Sequence, residues 1–218
     1  MKQGAPEPVA ALNRVRILET GEPLVDIRLA CPHLLVSVKA CPWLRATVAA
    51  MAEASAASLE PLGLRLRAGT ALRTVTVQKR HYDGFYQRMV QEHPEWPRSA
   101  LRRATNHFFA PYDQPAPPGH CTGGAIDVEL VGRDGSVLDV NTPYERWDGA
   151  YTWVQGLSPQ AHANRQTLVR AMLDVGFSNC RDEYWHYSFG DSAWAVRIGA
   201  SECPYGLALP PAGECAEP

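Results

Sequence analysis

His120-Cys121-Thr122-Gly123-Gly124-Ala125-Ile126-Asp127-Val128-Glu129-Leu130-Val131-Gly132 carries the reading of the fold. Its second half alternates as a half-buried strand does, with Ile126, Val128 and Leu130 on one face and Asp127 on the opposite one. The paired glycines let the backbone turn tightly after His120. Aspartate is disfavoured in strands unless it is exposed or paired, so Asp127 at a strand end marks a polar site.

Upstream, APYDQPAPPGH (residues 110–120) holds four prolines, which forbid a regular helix and give a stiff, extended approach to His120. Before that come helical periodicities over 44–59, 75–92 and 98–109, with the alternating LRLRAG after Gly63 as a strand. Two short apolar runs around Cys31-Pro32, within residues 24–38, suit strands better than a helix. Downstream, Arg133-Asp134-Gly135-Ser136 reads as a turn and 137–140 as a returning strand. Ser158-Pro159 starts a helix that Gly176 stops. EYWHYSFG and SAWAVRI around Gly190-Asp191 are expected to form a terminal hairpin. The sum is an α+β fold with a small, mainly antiparallel sheet flanked by helices.

With 218 residues, 45% of them hydrophobic, and no internal repeat, one domain is expected over 21–203. An N-terminal extension (1–20) and a C-terminal tail (204–218) read as dispensable. A formal net charge of −2 gives no basic field for nucleic acid or an anionic membrane surface, so neither is expected as a partner. No stretch approaches the ~20 apolar residues that span a bilayer. The N-terminus lacks the unbroken apolar core of a signal peptide, so a cytoplasmic chain is expected, or a periplasmic one if a signal has been removed. The six cysteines are scattered, none in a C-x-x-C pair, and read as reduced thiols; Cys203 and Cys215 could bridge in an oxidising compartment.

A second cluster, Glu183-Tyr184-Trp185-His186, completes the chemistry. Catalytic zinc usually takes three nitrogen or carboxylate ligands and keeps a fourth position open, and His120, Asp127 and His186 make such a set. In an extended strand Glu183 and His186 would point to opposite faces, so the chain must bend between them for both to reach one site. Glu183 is then placed as a general base and acid toward a metal-activated water.

His120-x-x-Gly123-x-Ala125-x-Asp127 with the downstream Glu183-x-x-His186 resembles the D-alanyl-D-alanine dipeptidases, the zinc enzymes of vancomycin resistance and their housekeeping relatives. The resemblance implies one zinc ion per chain on His120, Asp127 and His186, Glu183 as the catalytic base, and a fold shared with zinc D-Ala-D-Ala carboxypeptidases and the hedgehog signalling domain. It further implies that Arg73, in Ala71-Leu72-Arg73, stabilises the oxyanion, and that Glu145 binds the amino terminus of a small peptide such as D-Ala-D-Ala. Glu145 is longer than the family's aspartate, and Pro118 replaces a serine that helps to hold the substrate carboxylate.

Three functions stay open: a dipeptidase, a carboxypeptidase or endopeptidase for peptidoglycan stem peptides, and a non-catalytic zinc-stabilised binding module. Glu183 favours chemistry, since a binding module needs no base. Cys121 reads as a bystander thiol, and His81, His93 and His107 as surface residues. His33 and His162 have no acidic or cysteine partner at metal spacing. The aromatics between Trp147 and Trp153 suit a substrate cleft or lid packing equally.

Overall fold

The structure is a computed structural model and describes residues 6–37, 41–145, 147–211 and 215. In chain order the elements are α1 (Val9–Leu12), β1 (Arg16–Ile17), β2 (Leu24–Asp26), α2 (Ile27–Ala30), β3 (Leu35–Val36), β4 (Trp43–Arg45) and α3 (Ala46–Leu59). There follow β5 (Leu64–Thr70), α4 (Val75–Glu92), α5 (Arg98–Phe108), β6 (Ala125–Gly132), α6 (Pro159–Leu173), β7 (Ser178–Asn179), β8 (His186–Ser188), α7 (Ser192–Ile198) and β9 (Glu202–Cys203). None of the described helices is long and apolar enough to cross a membrane.

A five-stranded sheet in the order β3-β5-β6-β8-β7 organises the α+β fold; only β3 and β5 run parallel. One face is the core: Leu66, Ala68, Ile126, Val128 and Leu130 pack with Val48, Ala52, Ala56 and Leu59 of α3 and with Leu168 and Met172 of α6. The alanines of α3 combine high helix propensity with a short reach, which lets the helix lie close to the sheet. Alternation sends Arg67, Gly69, Asp127 and Glu129 to the other, open face,. β5 is bulged between Ala68 and Thr70, so Thr70 rather than Gly69 stands opposite Asp127,.

Helices α3 to α6 and strands β5 and β6 follow the sequence periodicity closely. Three expectations fail, each where an aspartate side chain accepts from nearby backbone amides. SAWAVRI is helix α7 and not a strand, because the Asp191 carboxylate accepts from Trp194 N at 2.6 Å and nucleates a helix that Gly199 ends,. Within 24–38 a single helical turn, α2, interrupts the strands, started by Asp26 accepting from Arg28 N at 2.9 Å; Val38 lies outside the described residues. The return after Gly135 shrinks to an isolated bridge between Val131 and Val137. There Asp139 accepts from the amides of Asn141 and Thr142, drawing the chain into a turn,.

The described residues of both ends that read as dispensable are packed into the fold. β1 pairs with β9, and Glu7 forms a two-bonded ion pair (2.7 and 3.0 Å) with Arg197. Tyr205 is buried and donates to Glu22 at 2.6 Å, while Ala208 N donates to Cys121 O at 2.8 Å. Cys215 is disulfide-bonded to Cys41, not to Cys203, which stays a buried thiol. His33 pairs with Glu53 of α3 and with Glu60 just after it, away from any metal-type cluster.

Candidate metal centre

The ladder itself assembles half of the site, because Asp127 on β6 stands directly opposite His186 on β8. His186 Nδ1 lies 2.9 Å from Asp127 Oδ1. His120 arrives on a one-turn 3-10 helix, Gly119–Thr122, launched from the proline-rich segment and closed by Gly123 at φ 70°. A side chain at Gly123 would meet Leu24 Cδ2 at 2.8 Å besides the strain of its positive φ,. The His120 Nδ1–H donates to the Ala71 carbonyl at 2.9 Å, which turns Nε2 toward Asp127 Oδ1 at 3.2 Å.

One ligand atom from each of His120, Asp127 and His186 falls within 4.8 Å of the others, so the three could hold a metal ion. The donor set fits. With Nδ1 donating to Ala71, the neutral His120 ring offers only a lone pair at Nε2, and it faces a carboxylate oxygen,. Two acceptors opposed in this way need a cation or a proton between them, and the carbonyl behind the ring is the outer support typical of metal-bound histidine. Burial pushes the Asp127 carboxyl up, but with protons on His120 and His186 taking the place of a cation, their charge and hydrogen bonds hold it far below the ordinary carboxylate range.

Glu183 sits on the turn ahead of β8, where His186 N donates to Glu183 O at 3.1 Å, so the bend expected between these residues is present. Burial pushes its carboxyl above the ordinary range; His186 and His120 pull it down and Asp127 pushes it up, so the group senses all three ligands. Arg73 is tied to the site twice. Its backbone N donates to His120 O at 3.0 Å, and its Nη1 donates at 2.9 Å to Oε1 of Gln78. The Gln78 amide in turn donates to Ala110 O at 2.7 Å.

Gln78 was not legible as a site residue, because a glutamine in the first turn of an amphipathic helix carries no chemical signature. The Ala71 carbonyl has no side-chain signal at all. Glu145 is exposed on the loop after the Thr142-Pro143 peptide, and its carboxylate makes no hydrogen bond or ion pair with the metal-site residues. Pro118 is buried and shapes the turn to His120, its carbonyl accepting from Cys121 N at 2.8 Å. The Cys121 thiol is buried and pushed up to about 12 by desolvation, the state of an unreactive bystander,.

A profile of the peptidase M15 family, described as D-ala-D-ala dipeptidase, matches residues 44–202, which include every metal-site residue. The chain belongs to this family. As a member of the D-ala-D-ala dipeptidase family it is a metallopeptidase. It is 24% identical to a D-alanyl-D-alanine dipeptidase of Synechocystis sp. (strain ATCC 27184 / PCC 6803 / Kazusa) over 86% of this chain and 90% of that protein. Among solved structures it is similar to the LD-carboxypeptidase LdcB, at TM-score 0.49 and 17% identity over 83% of this chain and 74% of the other. It is also similar to VanYB in complex with D-alanine-D-alanine, at TM-score 0.45 and 12% identity over 72% and 78% of the two chains.

Proposed function

We propose that the protein hydrolyses D-alanyl-D-alanine or a similar short D-amino-acid dipeptide, with one zinc ion held by His120, Asp127 and His186. The observation that carries this reading is the convergence of those three donors near a half-buried carboxylate, Glu183, in a chain of the dipeptidase family. Zinc in that position supplies Lewis acidity, which polarises a carbonyl and makes water a better nucleophile at neutral pH.

The chain's own residues do the rest. Glu183 accepts a proton from the attacking water as its oxygen bonds to the scissile carbonyl carbon. It then delivers that proton to the amide nitrogen as the C–N bond breaks, releasing two amino acids. A carboxyl raised by burial suits both halves of this work, being basic enough to accept and acidic enough to return the proton,. The Arg73 guanidinium is assigned to the negative charge that develops on the carbonyl oxygen. Gln78 suits that role, because a neutral amide orients the guanidinium without discharging it,.

Disulfides persist in oxidising compartments, so the Cys41–Cys215 bond supports the periplasmic alternative of the two localisations that the sequence leaves open,. The test of the reaction is release of D-alanine from D-alanyl-D-alanine by the zinc-loaded protein, with N-acetyl-D-alanyl-D-alanine in parallel. Cleavage of the free dipeptide alone supports the dipeptidase reading. Cleavage of the acylated peptide alone moves the protein to the carboxypeptidases, and zinc binding with no hydrolysis of either leaves the binding module.

A further inference from the structure

Arg73 follows the end of β5 by three residues, so its backbone is placed by what holds Ala71, Leu72 and Arg73 themselves. Two holds come from the metal side: His120 Nδ1–H donates to Ala71 O, and Arg73 N donates to His120 O. The others come from the segment Cys41–Trp43. Leu72 N donates to Trp43 O at 3.1 Å, and Leu72 forms an isolated antiparallel bridge with Cys41. Cys41 and Leu72 are buried with Ala208 in a small apolar cluster apart from the main core, flanked by Leu24, Trp43 and Cys215.

Two members of that cluster, Ala208 and Cys215, belong to the C-terminal tail. The tail is laid down by Tyr205 N donating to Gly190 O at 3.0 Å, Gly206 N to Glu19 Oε2 at 2.8 Å and Ala208 N to Cys121 O at 2.8 Å. From residue 209 onward the described residues make no hydrogen bond or ion pair, and the Cys41–Cys215 bond is their covalent tie to the fold. The tail therefore touches the chain beside His120 through Ala208, and the chain beside Arg73 through Cys41 and Leu72.

We infer that the C-terminal tail is a clasp, locked by the Cys41–Cys215 bond, that fixes the Arg73 backbone against the His120 segment, and that opening the bond lowers turnover while the metal stays bound. Gln78 then aims the guanidinium, and the clasp places the backbone that carries it. The inference rests on the dipeptidase reading for the role of Arg73.

A dithiol opens the clasp. Its thiolate attacks the sulfur of Cys215, which is partly exposed where Cys41 is buried. The S–S bond breaks and Cys41 leaves as a thiolate that takes up a proton. The second thiolate of the dithiol then displaces Cys215 as a thiol, and the reductant departs as a cyclic disulfide. The other cysteines compete poorly for Cys215, because burial pushes Cys31 up to about 11 and Cys121 and Cys180 up to about 12, leaving little thiolate at neutral pH,.

The test uses the zinc-loaded, full-length protein with Cys215→Ser, Arg73→Ala and the double variant. Zinc content, kcat and KM on D-alanyl-D-alanine, and amide hydrogen exchange are measured with and without dithiothreitol. Cys215→Ser is expected to keep its zinc and the slow exchange of β6, to speed exchange of the Leu72 and Arg73 amides about tenfold or more, and to lower kcat about ten- to a hundredfold with KM nearly unchanged. Dithiothreitol should bring the wild type to the same kcat and leave Cys215→Ser as it is. In the Arg73→Ala background Cys215→Ser should cost nothing further, since the clasp acts through that residue.

Unchanged exchange at Leu72 and Arg73, loss of zinc or of β6 protection in Cys215→Ser, or a full additional loss of kcat in the double variant would each overturn the clasp. Faster exchange at Leu72 and Arg73 with no hydrolysis by the zinc-loaded wild type would sustain the clasp and sink the dipeptidase reading.

Discussion

β6 buries five of its eight residues, whereas the eighteen-residue α4 buries only Gln78 and Tyr82. The strand is held by the main core, and its register puts Asp127 opposite His186. Helices α4 and α5 instead meet each other through a few specific contacts. Tyr82 donates to Asn106 at 2.6 Å, Phe85 packs on Phe108 and Phe109, and Lys79 pairs with Asp83 on the exposed side. The lesson is a division of labour. Two of the three candidate metal donors ride on strands held by the main core, while Arg73 bonds to a glutamine from a helix that buries little of itself.

The sharpest break of this comparison is Asp127→Ala. It should abolish stoichiometric zinc by elemental analysis, and with it at least about a 100-fold share of kcat/KM, since metal and electrostatic support go together. Glu183→Ala is expected to keep the zinc and lose ~10²–10⁴ in kcat; retained turnover in that variant would remove Glu183 from the mechanism. Gln78→Ala should lower kcat by about 10-fold, the lower end for a supporting residue, with zinc content and KM nearly unchanged. An equal fall in zinc content would show that α4 supports the ligands as well, and the division of labour would fail.

Stability measurements sharpen the same contrast. Ile126→Ala, in the core beneath the ligands, should cost about 2–5 kcal/mol in denaturant unfolding,. Gly84→Ala, in the interior of α4 with open space around the new methyl group, should add about 0.5–1 kcal/mol,. A loss there would mean that α4 is held more tightly than its exposure shows.

The site was readable where chemistry is local. The spacing of His120 and Asp127 across two glycines, and of Glu183 and His186 across a turn, sits within short segments whose geometry the backbone nearly dictates. The long helices were readable because their period spans several turns. SAWAVRI was misread because alternating aromatic and small residues over seven positions serve a strand or a short helix equally well, and Asp191 capping decided between them,. Glu145 was legible only through the resemblance, since an acidic residue exposed on a loop carries no local signature of its own.

By itself, then, the amino-acid order determined the α+β class, the helices from α3 to α6, the β6 strand and the identity of the three side chains that could hold a metal. Each of these follows from periodicity or from residue chemistry within one segment. Only the tertiary structure decided the Nε2-presenting orientation of His120, the Gln78 support behind Arg73 and the Cys41–Cys215 pairing. Each of those joins segments far apart in the chain, and nothing in a single segment encodes which distant backbone carbonyl, amide or thiol will be packed against it.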